Sequence, residues 1–363
     1  MRALIALPRL AAAGLALLLA GPGISPSTPP PKLPGTAPLP ALPPAPSDIP
    51  RPAPPAERER GVALGMFAED VSFSYAPLLA EIVALGATHV ALVVPLYQTD
   101  GSSHDIGLDT RYSPTLEAVA DAARIARRDG LEVTIFPILR LAAPRAGEWR
   151  GTLAPADRDA WFRRYGDALG DLAGVAALTG AKRLVIGSEL STLDEDLDHW
   201  RPLVEQVRAV FPGKLVYSAN WDHYPKARLF ELCDEEGVSA YFNLRDAKAP
   251  DDDATLEAGW QRVRRELEAW RNGRTRPFIF TELGYRSRAG ATAAPWDEVP
   301  GGTPDLDEQR RGFAAFRRVW TGAASLDGVY IWNWYGYGGP SSTGYTPRGK
   351  PAEAEVRALL ESL

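Results

Sequence analysis

A closed (β/α)8 barrel is the fold class that the sequence predicts, and three observations predict it. Eight short apolar runs recur between Gly61 and Trp334. Most are continuously apolar rather than alternating, as strands covered on both faces are. Segments of helical period lie between them, and no glycine-rich phosphate turn follows the first run, which disfavours an open doubly wound sheet.

The strands are read in order as "GVALGMF" (61–67), "HVALVVP" (89–95), "LEVTIFPI" (131–138) and "KRLVIG" (182–187). They continue as "KLVYSA" (214–219), "GVSAYF" (237–242), "PFIFT" (277–281) and "GVYIWNW" (328–334). Helical patterns cover 75–86, 113–130, 253–273 and 307–320. The first stops at Gly86, a natural C-terminal cap. The second has Ser113 as N-cap, Pro114 at the first helical position and Gly130 as its stop. Trp161 and Phe162 fit the core face of a helix after the third strand.

The chain of 363 residues has 45% hydrophobic and 24% charged residues, enough for a large core. Residues 1–20 read as a signal peptide, with Arg2 and Arg9 before a short apolar run. That run is short for a bilayer span, which takes ~20 residues; the alternative is an uncleaved membrane anchor. Residues 21–56 hold 15 of the 33 prolines and read as an extended linker. The folded domain is expected over 57–363, secreted or in the periplasm or at the cell surface. Removing Arg2, Arg9, Lys32, Arg51 and Asp48 takes the formal charge from −6 to −9. Such a domain argues against nucleic acid or anionic lipid as partner, and its charge should repel anionic polysaccharides at low salt.

Two strands end on a carboxylate. "RLVIGSEL" (183–190) delivers Glu189 just past the fourth strand, and "PFIFTELGY" (277–285) delivers Glu282 just past the seventh. Burying an ionised carboxylate is costly unless it is paired or used. The C-terminal strand ends of a (β/α)8 barrel form its active face, so both carboxylates point into one pocket. Two facing carboxylates are the minimum machinery for cleaving a glycosidic bond. Trp149 and Arg150 in the loop after the third strand, and Asn220 and Trp221 at the end of the fifth, fall on the same face as substrate candidates. "WNWYGYGG" (332–339) adds aromatics, with Trp332 and Trp334 expected on one side of the strand and Asn333 on the other. The four histidines have no metal-site spacing, and Cys233 is the only cysteine. No metal or other cofactor is expected.

Taken together, "EWRGTLAPADRDAWFRRY" (148–165), "LVIGSEL" (184–190), "LVYSANWDHY" (215–224), "GVSAYFNL" (237–244), "PFIFTELGYRS" (277–287), "VYIWNW" (329–334) and "GKPA" (349–352) form a pattern that resembles glycoside hydrolase family 113. That family belongs to the clan A retaining glycosidases, and its characterised members are β-mannanases. The resemblance implies Glu189 as acid/base, Glu282 as nucleophile, Tyr241 as the tyrosine that supports the nucleophile, and Trp332 as the aromatic platform under the sugar. Ser188 stands where clan members carry the asparagine that binds the sugar 2-hydroxyl. Arg140 is the only polar candidate on the third strand, where the family carries Lys and His. The implied activity is a retaining, endo-acting glycoside hydrolase on β-1,4-mannan or glucomannan. The domain is expected to be a monomer. The alternatives are a catalytically weak carbohydrate-binding protein on the same barrel, or a transglycosylase.

Overall fold

Eight parallel strands close into a barrel in chain order, β1 to β8, in a computed structural model that describes residues 58–70 and 72–363. The strands are β1 (Glu59–Gly65), β2 (His89–Gln98), β3 (Glu132–Leu141), β4 (Arg183–Ser188), β5 (Lys214–Asn220), β6 (Glu235–Ser239), β7 (Phe278–Leu283) and β8 (Gly328–Trp332). The helices are α1 (Ala76–Ala84), α2 (Leu116–Arg128), α3 (Arg158–Thr179), α4 (Leu197–Val210), α5 (Asp253–Trp270), α6 (Leu306–Trp320) and α7 (Pro351–Ser362). The predicted fold class is the observed one. The expected signal peptide and proline-rich linker lie outside the described residues. No helix among the described residues is long and apolar enough to cross a membrane.

The continuous apolar runs have a direct cause: each strand is buried on both faces. One face meets the helices, where Leu64, Leu92, Ile135, Ile186 and Phe280 join a single outer core. The other fills the barrel, where Ala63, Val93, Phe136, Val185, Ile279 and Trp332 pack with Tyr241 and Tyr330. Trp161 is fully buried and Phe162 nearly so, as core residues of α3.

Three expectations change. The fifth connection has no α-helix; it is a turn followed by one 3-10 segment, Arg228–Leu232. Tight backbone bonds from His223 and Tyr224 to Asn220 and from Lys226 to His223 occupy its first half, so too little chain remains for a full helix. The N-cap of α2 is Thr115, whose side chain accepts from the Ala118 amide. Ser113 instead donates to the Pro95 carbonyl at 2.6 Å and tethers the loop to β2. Trp334 does not share the Trp332 face: β8 ends at Trp332, and strand alternation stops there. Trp334 packs into the outer core and donates its indole N–H to Glu81 at 2.8 Å.

The N-terminal end of the barrel is closed by charge. Arg183, buried at the start of β4, bonds Glu59 at 2.9 Å, Glu235 at 2.5 Å and the Tyr330 hydroxyl at 2.7 Å. The cluster of Arg183, His89 and Lys182 around Glu59 holds that carboxyl far below its usual range despite burial. The opposite end is left for the site.

Candidate active site

The ladder is irregular where the two glutamates emerge. The β4–β5 register shifts between Val185 and Gly187, the β6–β7 register between Val238 and Ser239, and the β7–β8 register between Phe280 and Leu283. Such irregularities re-aim side chains at barrel rims. After its shift Ser239 pairs with Glu282, which lies inside β7 rather than just beyond it.

Glu189 follows β4 directly. Among the described residues it is the only non-glycine with positive φ, at 55°. A side chain in that left-handed region costs about 1–3 kcal/mol, tolerated where the surroundings over-determine it and concentrated at functional sites. Here the Glu189 amide donates to the Ser218 carbonyl at 2.7 Å, which fixes the turn against β5. The turn aims the carboxylate inward, and only 4% of Glu189 is exposed.

Both Glu189 oxygens accept hydrogen bonds. Arg150 Nη2 donates to Oε2 at 2.5 Å, and the Ser239 hydroxyl donates to Oε1 at 2.5 Å. A guanidinium has no acceptor, so Oε2 carries no proton in this arrangement. Burial lowers the Arg150 guanidinium's affinity for its proton, but the charges of Glu189, Glu298 and Glu282 together raise it well above the ordinary value.

Glu282 is 1% exposed. The Tyr241 hydroxyl donates to its Oε2 at 2.8 Å, and the Ser188 hydroxyl reaches Oε1 at 3.4 Å. Burial, and then the charge of Glu189, push its carboxyl up to about 8, against the opposing pull of Arg150 and Tyr241. Two close carboxylates compete for one proton, which belongs to the pair rather than to either residue.

A cavity of about 250 Å³ opens beside the pair, with Phe67, Arg140, Arg150, Glu298, Trp332 and Tyr345 in its wall. Arg150 joins it to Glu189, and the Tyr345 ring, 5.9 Å from that of Tyr241, joins it to the Glu282 side. A larger, shallow depression lined by Arg163 and Arg164 on α3 contains none of these groups.

The structure thus gathers Ser188, Glu189, Tyr241, Glu282, Arg150 and Trp332. Three candidates sit apart from the cavity wall. Asn220 spends its side chain on its own loop, donating to Asp222 at 2.9 Å and accepting from the Trp221 amide at 2.9 Å. Trp221 does not line the cavity but packs partly buried against the barrel-interior cluster that holds Tyr241 and Trp332, edge-on to Phe242 with centroids 6.0 Å apart. Trp149 is 38% exposed on the rim and its ring covers Gly151. Sequence reading missed Ser239, although strand alternation puts it two residues before Tyr241 on the same side. Glu298 and Tyr345 come from long loops and carry no local signal.

Among solved structures, the chain superposes on a complex of a GH113 β-1,4-mannanase with a TM-score of 0.76 and 21% identity, covering 85% of this chain and 100% of that one. It also superposes on a GH113 β-mannanase from Alicyclobacillus acidocaldarius in complex with ManMIm, with a TM-score of 0.74 and 24% identity over 84% of this chain and 97% of that one. At these identities the likeness is one of fold. Comparison with curated protein sequences gives no match. The model of Glycoside Hydrolase Family 113 matches residues 65–343, a span that takes in the C-terminal ends of all eight strands and both buried glutamates. The chain belongs to glycoside hydrolase family 113 and is a glycoside hydrolase.

Proposed function

We propose that this enzyme is a retaining, endo-acting β-glycosidase that cleaves β-1,4-mannan or glucomannan by double displacement. The observation that carries the reading is the convergence of Glu189 and Glu282, from β4 and β7, on one buried site where they compete for one proton.

Glu282 attacks the anomeric carbon as a carboxylate while Glu189 protonates the departing glycosidic oxygen. The bond to the leaving sugar breaks and a glycosyl ester on Glu282 forms. Glu189, now ionised, takes a proton from water. That water attacks the anomeric carbon, the ester breaks, and the configuration is retained. The Tyr241 hydroxyl fixes the attacking carboxylate through Oε2. Ser188 takes the place of the usual 2-hydroxyl partner, and Trp332 offers its ring to the apolar face of a sugar. The first step needs the shared proton on Glu189, so substrate must draw Arg150 away from its Oε2 before the leaving oxygen is protonated.

The rim supports a polymer as substrate. Every exposed aromatic ring among the described residues (Phe73, Tyr112, Trp149, Trp296 and Tyr337) lies on a loop that follows β1, β2, β3, β7 or β8. Rings spread along one face suit a chain rather than a single sugar. The name of the β-1,4-mannanase relative supports mannan as the chain. The apolar start and proline-rich segment support export, with 57–363 as the catalytic domain. The test is incubation with mannan, glucomannan, cellulose and xylan while chain length and the anomer of the first product are followed. Shortening of cellulose or xylan but of neither mannan polymer would remove the substrate assignment and leave the mechanism standing.

A further inference from the structure

We propose that Arg140 and Arg150 form a carboxylate-binding subsite beside Trp332, and that the preferred glycan carries a hexuronate where mannan carries a neutral hexose. The inference rests on Glu189 and Glu282 being the catalytic pair of the same cavity.

The cavity wall holds three guanidiniums, from Arg140, Arg150 and Arg286. Arg286 is spent on structure: it donates to the carbonyls of Thr343, Glu298 and Val299. The other two have donors to spare. Arg150 makes one bond, to Glu189, and its Nε is buried without a partner. Arg140, near the end of β3, makes no hydrogen bond or ion pair among the described residues; its guanidinium stands 5.7 Å from the centre of the Phe67 ring in the same wall. Both cations therefore face the cavity with unused N–H groups, and a guanidinium has no acceptor to offer a sugar in return.

The charges facing the cavity are also unbalanced. Against three guanidiniums stand Glu298 and the catalytic pair, which carries a single charge when it holds one proton. One positive charge is left over, in a domain whose formal charge is −9 once the leader segments are removed. A hydroxymethyl group would accept one or two bonds and leave that charge. A C6 carboxylate supplies two oxygens and the missing negative charge, in the planar geometry that suits a guanidinium. The global negative charge does not prevent this. Charges farther away than a screening length of ~8–10 Å count for little, whereas a contact pair lies well inside that length.

The subsite also has a consequence for the proton. A substrate carboxylate competes with Glu189 for Arg150. Once Arg150 turns to it, Glu189 Oε2 is free to carry the proton that the pair shares, and the pair reaches its working arrangement. An acidic sugar would thus switch on the acid that cleaves it.

The experiment compares two polymers that differ only at C6, β-1,4-mannan and β-1,4-linked mannuronate. Both cleavage and binding are measured on the full chain, for wild type and for Arg140→Met and Arg140→Lys. The expected result is at least tenfold higher kcat/KM on mannuronate, with binding that weakens as salt rises. The mannuronate-to-mannan ratio should fall at least tenfold in Arg140→Met and recover in part in Arg140→Lys. Cleavage of mannan with mannuronate neither bound nor cut would overturn the proposal, as would an unchanged ratio in Arg140→Met or failure to bind either polymer. Salt-sensitive mannuronate binding that Arg140→Met abolishes, with neither polymer cut, would uphold the subsite and remove the catalytic assignment instead.

Discussion

Arg150 Nη2 lies 2.5 Å from Glu189 Oε2, so a residue of the β3–α3 connection grips one of the two site carboxylates in the free enzyme. The same guanidinium pulls the Glu282 carboxyl down, against burial and the charge of Glu189, to about 8. Removing it should let that carboxyl rise further. In Arg150→Met the alkaline limb of the kcat/KM profile is expected to move up by roughly one pH unit, the size of shift that one close charge causes. The limb belongs to the coupled pair rather than to either residue. Profiles on a neutral aryl glycoside check this, and an unmoved limb with only a lower plateau would mean that Arg150 acts through substrate contact alone.

The phenol of Tyr241 is the shortest hydrogen bond to the Glu282 carboxylate, 2.8 Å from its Oε2. It favours the carboxylate, the form needed for attack. Tyr241→Phe keeps the ring that packs against Tyr345 and deletes the donor. Loss of a hydrogen bond to a charged group is worth ~1.5–3 kcal/mol, so kcat should drop about 10–100-fold. KM should change much less, because the attack rather than the resting sugar depends on that donor. A change confined to KM would assign Tyr241 to substrate binding.

Much of this was legible in the sequence for one physical reason: strands buried on both faces cannot hide their apolar runs, so all eight were visible. The carboxylates at the ends of β4 and β7 stood out against those runs in the same way. What was not legible depends on pairings far apart in the chain. Arg183 stands inside the run "KRLVIG" with nothing beside it to mark its partners, Glu59 and Glu235, which start two other strands. The grip of Arg150 on Glu189 spans a loop and a helix, so its substrate-facing reading from the sequence could not include the ion pair. The failed fifth helix was hidden too, because backbone bonds within residues 220–227, rather than any apolar period, decide that connection. The left-handed φ of Glu189 has no signature in residue type, since glycine or asparagine would be the expected occupant.

Azide can separate the roles of the two glutamates. Without Glu282 there is no internal nucleophile, and azide attacks the opened face directly. From an activated β-glycoside, Glu282→Ala should therefore give the α-glycosyl azide. Without Glu189 the ester on Glu282 still forms when the leaving group needs no protonation, and azide then displaces the ester. Glu189→Ala should therefore give the β-glycosyl azide. Rescue by azide in both variants, with the anomers assigned by proton coupling constants, is the expected outcome. The opposite pairing of anomers would exchange the two roles.

Glu282 also makes a prediction about stability. Its carboxyl sits near 4.5 when free in water and at about 8 in the folded protein, raised by burial and by Glu189. Between those two values the unfolded chain has released the proton that the folded protein still holds. Folding there takes up a proton, so stability falls as pH rises through the window and the loss is complete above about 8. Below 4.5 both states are protonated and the site costs nothing in this respect. Gln has the same shape and no proton to release, and its amide oxygen can still accept from Tyr241. The Tm of Glu282→Gln is thus expected to gain on wild type steadily from pH 5 to pH 8, with the gain levelling off beyond, as thermal unfolding across that range would record. Curves that stay parallel would mean that the folded pair holds no more protons than the unfolded chain across this range, and the shared proton would be removed from the mechanism.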